Sequence, residues 1–97
     1  MSVVSFFISR GMIMAEFVVY ILYSKGYDKK YIGYTSNLVE RMRSHNYLGT
    51  KGYTIPYRPW IVIHLEYYST KREAMLRERS LKSGKGRDWV RNNVEIP

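Results

Sequence analysis

Residues 17–35 read FVVYILYSKGYDKKYIGYT, and this stretch decides the fold. Phe17 to Ser24 is apolar at successive positions and rich in β-branched and aromatic residues, which predicts a central strand covered on both faces. The charged segment Lys25 to Lys29 carries turn residues, and Lys30 to Thr35 has the pattern of a second short strand. The stretch therefore predicts an antiparallel hairpin at the start of a sheet.

The chain after the hairpin carries helix, loop and strand signals in turn. Thr35 to Asn37 offers N-cap side chains for a first helix that runs to about Asn46. Tyr47 to Pro59 contains two glycines and two prolines and has the composition of a loop. Trp60 to Tyr68 alternates in side-chain character, which predicts a third strand with one buried face.

The C-terminal third of the chain predicts two helices. Thr70 to Glu73 is a capping box that opens a second helix, and this helix ends near Lys82-Ser83, where Gly84 follows. A last short helix is expected over Arg87 to Asn92. The element order β-β-α-β-α-α predicts an α+β domain in which helices flank a three-stranded antiparallel sheet.

Length and composition limit the class of protein. The chain has 97 residues, which suits one compact domain. It has no cysteine, which excludes disulfides and thiolate zinc sites and predicts an intracellular, cytoplasmic location, at the nucleoid if the source is bacterial. We expect residues 16–97 to form the domain. Residues 1–15 are expected to be an optional tail, most of which would lie upstream of an alternative start at Met14.

The charge of the chain points to a polyanionic partner. Sixteen Lys and Arg against eight Asp and Glu give a formal charge of +8 and a pI of about 9.8. Such a balance favours nucleic acid first and an anionic membrane surface second. No apolar run approaches the roughly 20 residues that are needed to cross a bilayer.

A carboxylate interrupts the apolar stripe of the second predicted helix. Ala74, Glu78 and Leu81 lie at i, i+4 and i+7 and therefore share one helix face. Because burying an ionised carboxylate is costly unless it meets a cation, we expect Glu78 either to bind a metal ion or to be paired inside the structure. The structural alternatives are an ion pair with Arg77 or Lys82, or a helix rotated so that Glu78 faces water.

Five further residues are candidates for a site, and each has a structural alternative. Arg41 and His45 lie four residues apart on the first predicted helix, so both can reach one phosphate, or both can face solvent among charged neighbours. Tyr20 and Tyr31 are equally explained by the preference of tyrosine for strands. Gly33, late in a strand, permits the close approach of either a neighbour or a ligand.

The segment from Arg77 to Arg91 is basic, with glycines and a tryptophan interleaved. This composition is typical of a groove that follows a nucleic-acid backbone. It also describes an ordinary basic helix end. The residues of this segment that we expect to bind substrate are Lys82, Lys85 and Arg87.

Taken together, these residues resemble the GIY-YIG nuclease family. Val18-Val19-Tyr20 stands where the family carries its first triplet, and Tyr31-Ile32-Gly33 stands where it carries the second. Arg41 and Glu78 match the family's helix arginine and its later glutamate. The first triplet has valine where the family often has glycine. The likeness spans residues 17–93 and agrees with the element order predicted above.

The resemblance implies metal-dependent hydrolysis of a nucleic-acid phosphodiester. A single divalent cation, Mg²⁺ or Mn²⁺, is expected on Glu78, since hard cations take oxygen ligands and keep several waters. Tyr20 is the implied base, with Tyr31 as the alternative, and Arg41 is expected to favour the phenolate while it holds the phosphate. His45 is expected to orient the attacking water or to relay its proton. The other implied substrate contacts are Gly33, which would let the phosphate backbone come close, Tyr34, and Asn93 with Asn92 as its alternative.

The implied function is a DNA endonuclease of repair or recombination, similar to the nuclease domain of excision-repair incision subunits. A bare catalytic domain reads little sequence through the major groove, so branched or damaged DNA is expected, with a protein partner supplying specificity. RNA is an alternative substrate, and no membrane partner is expected. A second hypothesis is a non-catalytic nucleic-acid-binding module of the same fold. A third is a domain that docks proteins or membrane surfaces through its tyrosines.

Overall fold

The computed structural model describes residues 16–97, so the predicted tail over residues 1–15 lies outside the described residues. The strands are β1 (Phe17–Ser24), β2 (Lys29–Thr35) and β3 (Ile61–Tyr68), and the α-helices are α1 (Leu38–Arg43), α2 (Lys71–Lys82) and α3 (Gly84–Asn93). A π-helical segment, Ser44–Leu48, continues α1, and a 3-10 turn, Ile55–Tyr57, lies in the loop that follows. Within this part of the chain, no helix has the length and apolar character to cross a membrane. The predicted β-β-α-β-α-α order is confirmed.

The three strands form one antiparallel sheet with the order β2-β1-β3. Strand β1 is therefore central, and every one of its residues after Phe17 is buried. The β1–β2 register pairs Tyr20 with Gly33 and Leu22 with Tyr31. The prediction of a central strand covered on both faces is confirmed, and this register brings the two family triplets into contact.

Each face of the sheet has its own hydrophobic core, because alternate residues of β1 point to opposite faces. Val19 and Ile21 pack on the side of α2 and α3, where Ala74, Leu81, Val90 and Val94 complete one buried cluster. On the other side, Tyr20, Leu22 and Trp60 form a second buried cluster, with Leu38 and Met42 of α1 packed against it. The sheet is thus sandwiched between α2 and α3 on one face and α1 with its following loop on the other.

Strand β3 differs from the prediction of a single buried face. Its pairing with β1 shifts register opposite Ile21 and Leu22, as at a β-bulge. Ile63 packs against the α2–α3 core and Leu65 against the Tyr20 core, although simple alternation places both on one face. The prediction is wrong because the bulge interrupts the alternation and helices or loops cover both faces.

The last helix is longer than the predicted span of residues 87–92. The Ser83 side chain accepts a hydrogen bond from the Gly86 backbone N–H, so Ser83 ends α2 and caps α3, which begins at Gly84. A Cβ atom on Gly86 would overlap the Ser80 carbonyl and the Leu81 backbone. Glycine is needed at position 86 because α3 folds back closely on the end of α2.

Candidate active site

A cleft of about 540 Å³ opens beside the paired triplets of β1 and β2. It brings together six residues that the sequence singled out, and we call it the open cleft; they are Tyr20, Tyr31, Gly33, Tyr34, Arg41 and Glu78. Strands position the tyrosines and the glycine, α1 supplies the arginine and α2 supplies the glutamate. Elements distant in sequence therefore converge on one cavity, which is the arrangement expected of a site rather than of separate surface features.

Gly33 lies directly against the side chain of Tyr20. A Cβ atom at this position would lie 2.5 Å from the Tyr20 hydroxyl oxygen and 2.7 Å from its ring carbon Cζ. The missing side chain therefore makes room for the Tyr20 phenol, which lies across from it in the register. Of the two expectations for Gly33, the close approach of a neighbour is met by Tyr20. Gly33 also lines the open cleft, so the approach of a phosphate backbone stays a prediction.

Tyr20 is linked to His45 in a buried chain of hydrogen bonds. The Tyr20 hydroxyl lies 2.9 Å from Nε2 of His45, and Nδ1 of His45 lies 2.9 Å from Oγ1 of Thr54. His45 is only 6% exposed. It lies in the π-helical segment rather than in α1, so it sits behind Tyr20 while Arg41 lines the open cleft. Arg41 is thus exposed and His45 is buried, so the two neither face solvent as a pair nor line the cleft together.

The protonation of Tyr20 and His45 follows from their burial. Burial raises the pKa of Tyr20 well above its ordinary value, Tyr31 and Glu78 act in the same direction, and Arg41 opposes them. Arg41 was expected to favour the phenolate, but its effect is too small to overcome the burial. Burial also lowers the pKa of His45, helped by Arg41 and Arg58, so the neutral imidazole is favoured. The pair is thus a neutral phenol beside a neutral imidazole.

Two clamps that the sequence did not indicate hold the π-helical segment in place. The Arg58 guanidinium donates to the carbonyl oxygens of His45 at 2.6 Å, Ser44 at 2.9 Å and Gly49 at 2.8 Å. The Asn46 side chain exchanges two hydrogen bonds with the Trp60 backbone. Arg58 in this way satisfies carbonyls at a helix end, which otherwise lack partners, and fixes the backbone that carries His45.

Glu78 lies at the wall of the open cleft, with its side chain 20% exposed. Its Oε2 pairs with Lys82 Nζ at 2.9 Å, while Arg77 pairs with Glu66 instead. The structural alternative of a Lys82 ion pair is therefore confirmed, together with a position in the cleft. Lys71 also lines the cleft. It lies seven residues before Glu78, two turns along the same helix face, so helical spacing was a usable signal for it.

The open cleft offers one carboxylate as a ligand for a hard cation. Within residues 16–97, no group of three or more His, Cys, Asp or Glu side chains is placed to hold a metal ion. Glu78 supplies a single carboxylate among the residues that line the cleft. A hard cation such as Mg²⁺ often uses one or two protein carboxylates and completes its shell with water and substrate phosphate. The cleft therefore fits such an ion only when a phosphate is also present.

The other predicted substrate contacts do not all reach the open cleft. Lys82 and Arg87 line a neighbouring basic cleft of about 530 Å³, and Lys85 is exposed on α3 and lines neither cleft. Asn93 donates its side-chain amide to the Trp89 carbonyl at 2.8 Å and lines a separate depression beside β3. The structure does not bring Asn93 to the site, because it lies at the far end of α3.

A second polar group, the closed cluster, joins β3, α2 and α3. Its members are His64, Glu66, Tyr68, Arg77 and Trp89. Both Glu66 carboxylate oxygens accept hydrogen bonds from Arg77, at 2.8 and 3.1 Å, and the same carboxylate bonds to His64 and Tyr68. The Arg77 guanidinium lies 4.6 Å from the Trp89 ring centre. Although burial raises the Glu66 pKa, the hydrogen bonds from Arg77, His64 and Tyr68 outweigh it and hold this pKa at about 2.

Comparison with known proteins adds an independent finding. Residues 16–92 match the family model of the GIY-YIG catalytic domain. A UPF0213 protein of Staphylococcus haemolyticus is 39% identical over 70 residues, which cover 72% of this chain and 84% of that protein. A UPF0213 protein of Clostridium perfringens is 38% identical over 64 residues, 66% of this chain and 68% of that protein. A UPF0213 protein of Bacillus velezensis is 42% identical over 52 residues, which cover 54% of this chain and 52% of that protein. No solved structure gives a significant match.

Proposed function

The chain belongs to the GIY-YIG catalytic-domain family, and from that premise we propose that it is a divalent-metal-dependent endonuclease that hydrolyses DNA phosphodiester bonds. The observation that carries the proposal is the convergence of Tyr20, Arg41 and Glu78 on one cleft, with His45 bonded to the Tyr20 hydroxyl. A base, a cation and a carboxylate around one cavity are the groups that phosphodiester hydrolysis requires.

Glu78 is the residue that would hold the metal ion. When bound there, Mg²⁺ or Mn²⁺ would supply a Lewis acid that stabilises negative charge on the leaving oxygen. Lys82, which pairs with Glu78, has a side chain that is 51% exposed, so it is free to turn into solvent. In the described structure its ammonium lies 2.9 Å from Oε2 of Glu78.

The proton of the attacking water passes through Tyr20 to His45. The relay uses the His45 tautomer that carries its proton on Nδ1, in which Tyr20 donates its hydroxyl hydrogen to Nε2 and Nδ1 donates to Thr54 Oγ1; both contacts are 2.9 Å long and allow it. Tyr20 lines the open cleft although it is only 1% exposed, so the attacking water would bind inside the cleft, against the phenol oxygen. As the water attacks, Tyr20 accepts its proton and passes its own to His45, so no free phenolate has to form. A phenol of raised pKa acts in this way as a proton relay.

Cationic side chains of the open cleft would hold the scissile phosphate. Arg41 lies on α1 and lines the cleft, and Lys71 lines it from the start of α2. A guanidinium makes charge-assisted, bidentate hydrogen bonds to phosphate oxygens. Both cations would also stabilise charge that develops on the phosphate in the transition state.

The substrate we propose is DNA recognised by its structure more than by its sequence, such as branched or damaged DNA. A formal charge of +8 supports binding to the phosphate backbone. The described residues contain one three-stranded sheet, and sequence reading through the major groove needs a dedicated element. A role in repair or recombination, and a partner protein that adds specificity, are part of this proposal.

The competing function is a nucleic-acid-binding module without catalysis. The specific observation in its favour is the neighbouring basic cleft, where Lys30, Lys82, Arg87 and Arg91 lie together and no carboxylate of the described residues lines the cavity. Such a module needs cations and has no use for a phenol bonded to a buried imidazole. The Tyr20–His45 bond therefore favours the enzyme.

The test is cleavage of supercoiled plasmid and of a branched duplex with Mg²⁺, with Mn²⁺ and with EDTA. We expect cutting by the parent that stops with EDTA and falls about a hundred-fold in Arg41→Ala. Arg43→Ala is the matched control, since Arg43 pairs with Glu40 on the exposed side of α1. No cutting of either DNA, together with salt-sensitive binding, would replace the enzyme by the binding module.

A further inference from the structure

Four tyrosine rings form a continuous row that begins at the wall of the open cleft. We call it the tyrosine row, and its members in order are Tyr31, Tyr53, Tyr57 and Tyr27. The ring centres are 6.2 Å apart from Tyr31 to Tyr53, 5.1 Å from Tyr53 to Tyr57 and 5.3 Å from Tyr57 to Tyr27. Only Tyr31 lines the open cleft, so the row leads away from it.

Two of the four rings remain accessible to solvent despite the contacts within the row. Tyr53 is 51% exposed and Tyr27 is 54% exposed. Tyr31 and Tyr53 are close to parallel, with an interplanar angle of 20°. Tyr53 and Tyr27 therefore present about half of their surface to a ligand, whereas Tyr31 and Tyr57 are half-buried.

Positive charge accompanies the row. The ammonium of Lys29 lies 5.1 Å from the centre of the Tyr57 ring. Lys25 is exposed in the hairpin turn beside Tyr27, and Lys51 is exposed in the loop that carries Tyr53. Aromatic rings and lysines in this arrangement match what a single nucleic-acid strand offers, since its bases have flat apolar faces and its backbone is anionic.

We propose that the tyrosine row binds the unpaired bases of a single-stranded segment that adjoins the scissile phosphodiester. The position of the cut next to this segment rests on the proposed nuclease function. The binding of unpaired bases does not depend on it. Because every base has a face that can stack, the row would accept unpaired strands of any sequence. In a duplex the bases stack on one another and are not available to the rings. The preferred DNA would thus carry a junction between duplex and single strand.

The alternative occupant of an aromatic and basic surface is an anionic membrane. A membrane-binding surface buries exposed apolar side chains into the lipid, whereas here the rings turn toward one another and a lysine covers one of them. The described geometry favours stacking on bases. Vesicles of anionic lipid serve as the competing probe in the test.

The experiment is equilibrium binding in EDTA, where metal-dependent cutting does not interfere. The probes are a labelled single strand, a blunt duplex, the same duplex with a single-stranded extension, and vesicles of phosphatidylserine and phosphatidylcholine. We expect Tyr53→Ala to weaken binding of the single strand and of the extended duplex about tenfold and to leave the blunt duplex unchanged. Tyr53→Trp is expected to retain the parent affinity, because indole supplies a larger stacking face.

The matched control is Tyr47→Ala. Tyr47 is 76% exposed, and among the described residues it makes no ring contact with the row. It should bind all four probes like the parent. Equal losses for single strand and duplex in Tyr53→Ala, or parent affinity for the single strand, would overturn the proposal. The proposal would also be overturned if the parent bound the vesicles and Tyr53→Ala lost vesicle binding but kept DNA binding. Because these binding measurements need no DNA cleavage, they test the tyrosine row independently of the nuclease activity.

Discussion

The open cleft and the closed cluster contain the same four residue types and use them differently. With the histidine behind it, the open cleft has Glu78, His45, Tyr20 and Arg41, and the closed cluster has Glu66, His64, Tyr68 and Arg77. In the closed cluster, each of the other three side chains bonds to the glutamate. In the open cleft, the glutamate has one exposed lysine partner and the arginine lines the cleft. Residue type therefore does not separate structure from function, but bonding capacity left open toward solvent does.

The largest effect that would sharpen this comparison is expected from the two tyrosines. Tyr20→Phe should reduce cleavage by about 10²- to 10⁴-fold, because it removes the hydroxyl that relays the proton to His45. Tyr68→Phe removes a hydroxyl of the same kind from the closed cluster and should leave cleavage near that of the parent. Each variant loses about 1 kcal/mol of stability, since each breaks one buried hydrogen bond. Single-turnover cleavage assays measure the difference, and equal cleavage by both variants would break the comparison.

The next effect concerns stability and lies in the closed cluster. Glu66→Gln should lower the free energy of unfolding by about 2 kcal/mol, because it leaves a half-buried Arg77 without its ionised partner. The folded pKa of Glu66 is about 2, below its ordinary value of 4.5, so its contribution is complete above pH 4.5 and is lost as the pH falls toward 2. Denaturant unfolding at several pH values should show this loss in the parent and not in Glu66→Gln. A parent stability that is constant over that window would contradict it.

The smallest effect tests whether Arg58 positions His45. Arg58→Met removes three hydrogen bonds to the π-helical segment and should reduce cleavage about tenfold. The pKa of His45 should rise, since one of the cations that lower it is gone, and the acid limb of the pH–rate profile should move to higher pH with it. Proton NMR titration of the imidazole measures this pKa directly. Arg43→Met is the control, and a His45 pKa equal in both variants would remove the positioning role.

Much of the open cleft was predictable from the sequence, because periodicity determines which side chains share a face. Strand alternation and antiparallel pairing set Tyr20 beside Gly33 and Tyr31, and helical spacing turned Glu78 toward the sheet. The placing of Glu78 and Arg41 in one cleft came from the resemblance to a family. No local pattern in the two helices indicates that each supplies a residue to the same cleft.

What could not be predicted depends on irregular backbone. His45 belongs to a π-helical segment, and its partners Thr54 and Arg58 lie in a loop where no periodicity relates one residue to the next. The bulge in β3 likewise has no signal in an alternating sequence. The pKa of Tyr20 depends on how deeply the phenol is buried, which spacing does not give, so the direction of Arg41's effect was right and its weight was not.

The central claim is that Glu78 acts in catalysis while Glu66 acts in stability. The most direct test compares Glu78→Gln with Glu66→Gln, measuring DNA cleavage with Mg²⁺ and thermal unfolding of the same preparations. We predict that Glu78→Gln unfolds like the parent and does not cut, and that Glu66→Gln unfolds at a lower temperature but cuts at temperatures where it is folded. Parent-like cutting by Glu78→Gln, or a folded Glu66→Gln that does not cut, would contradict the claim.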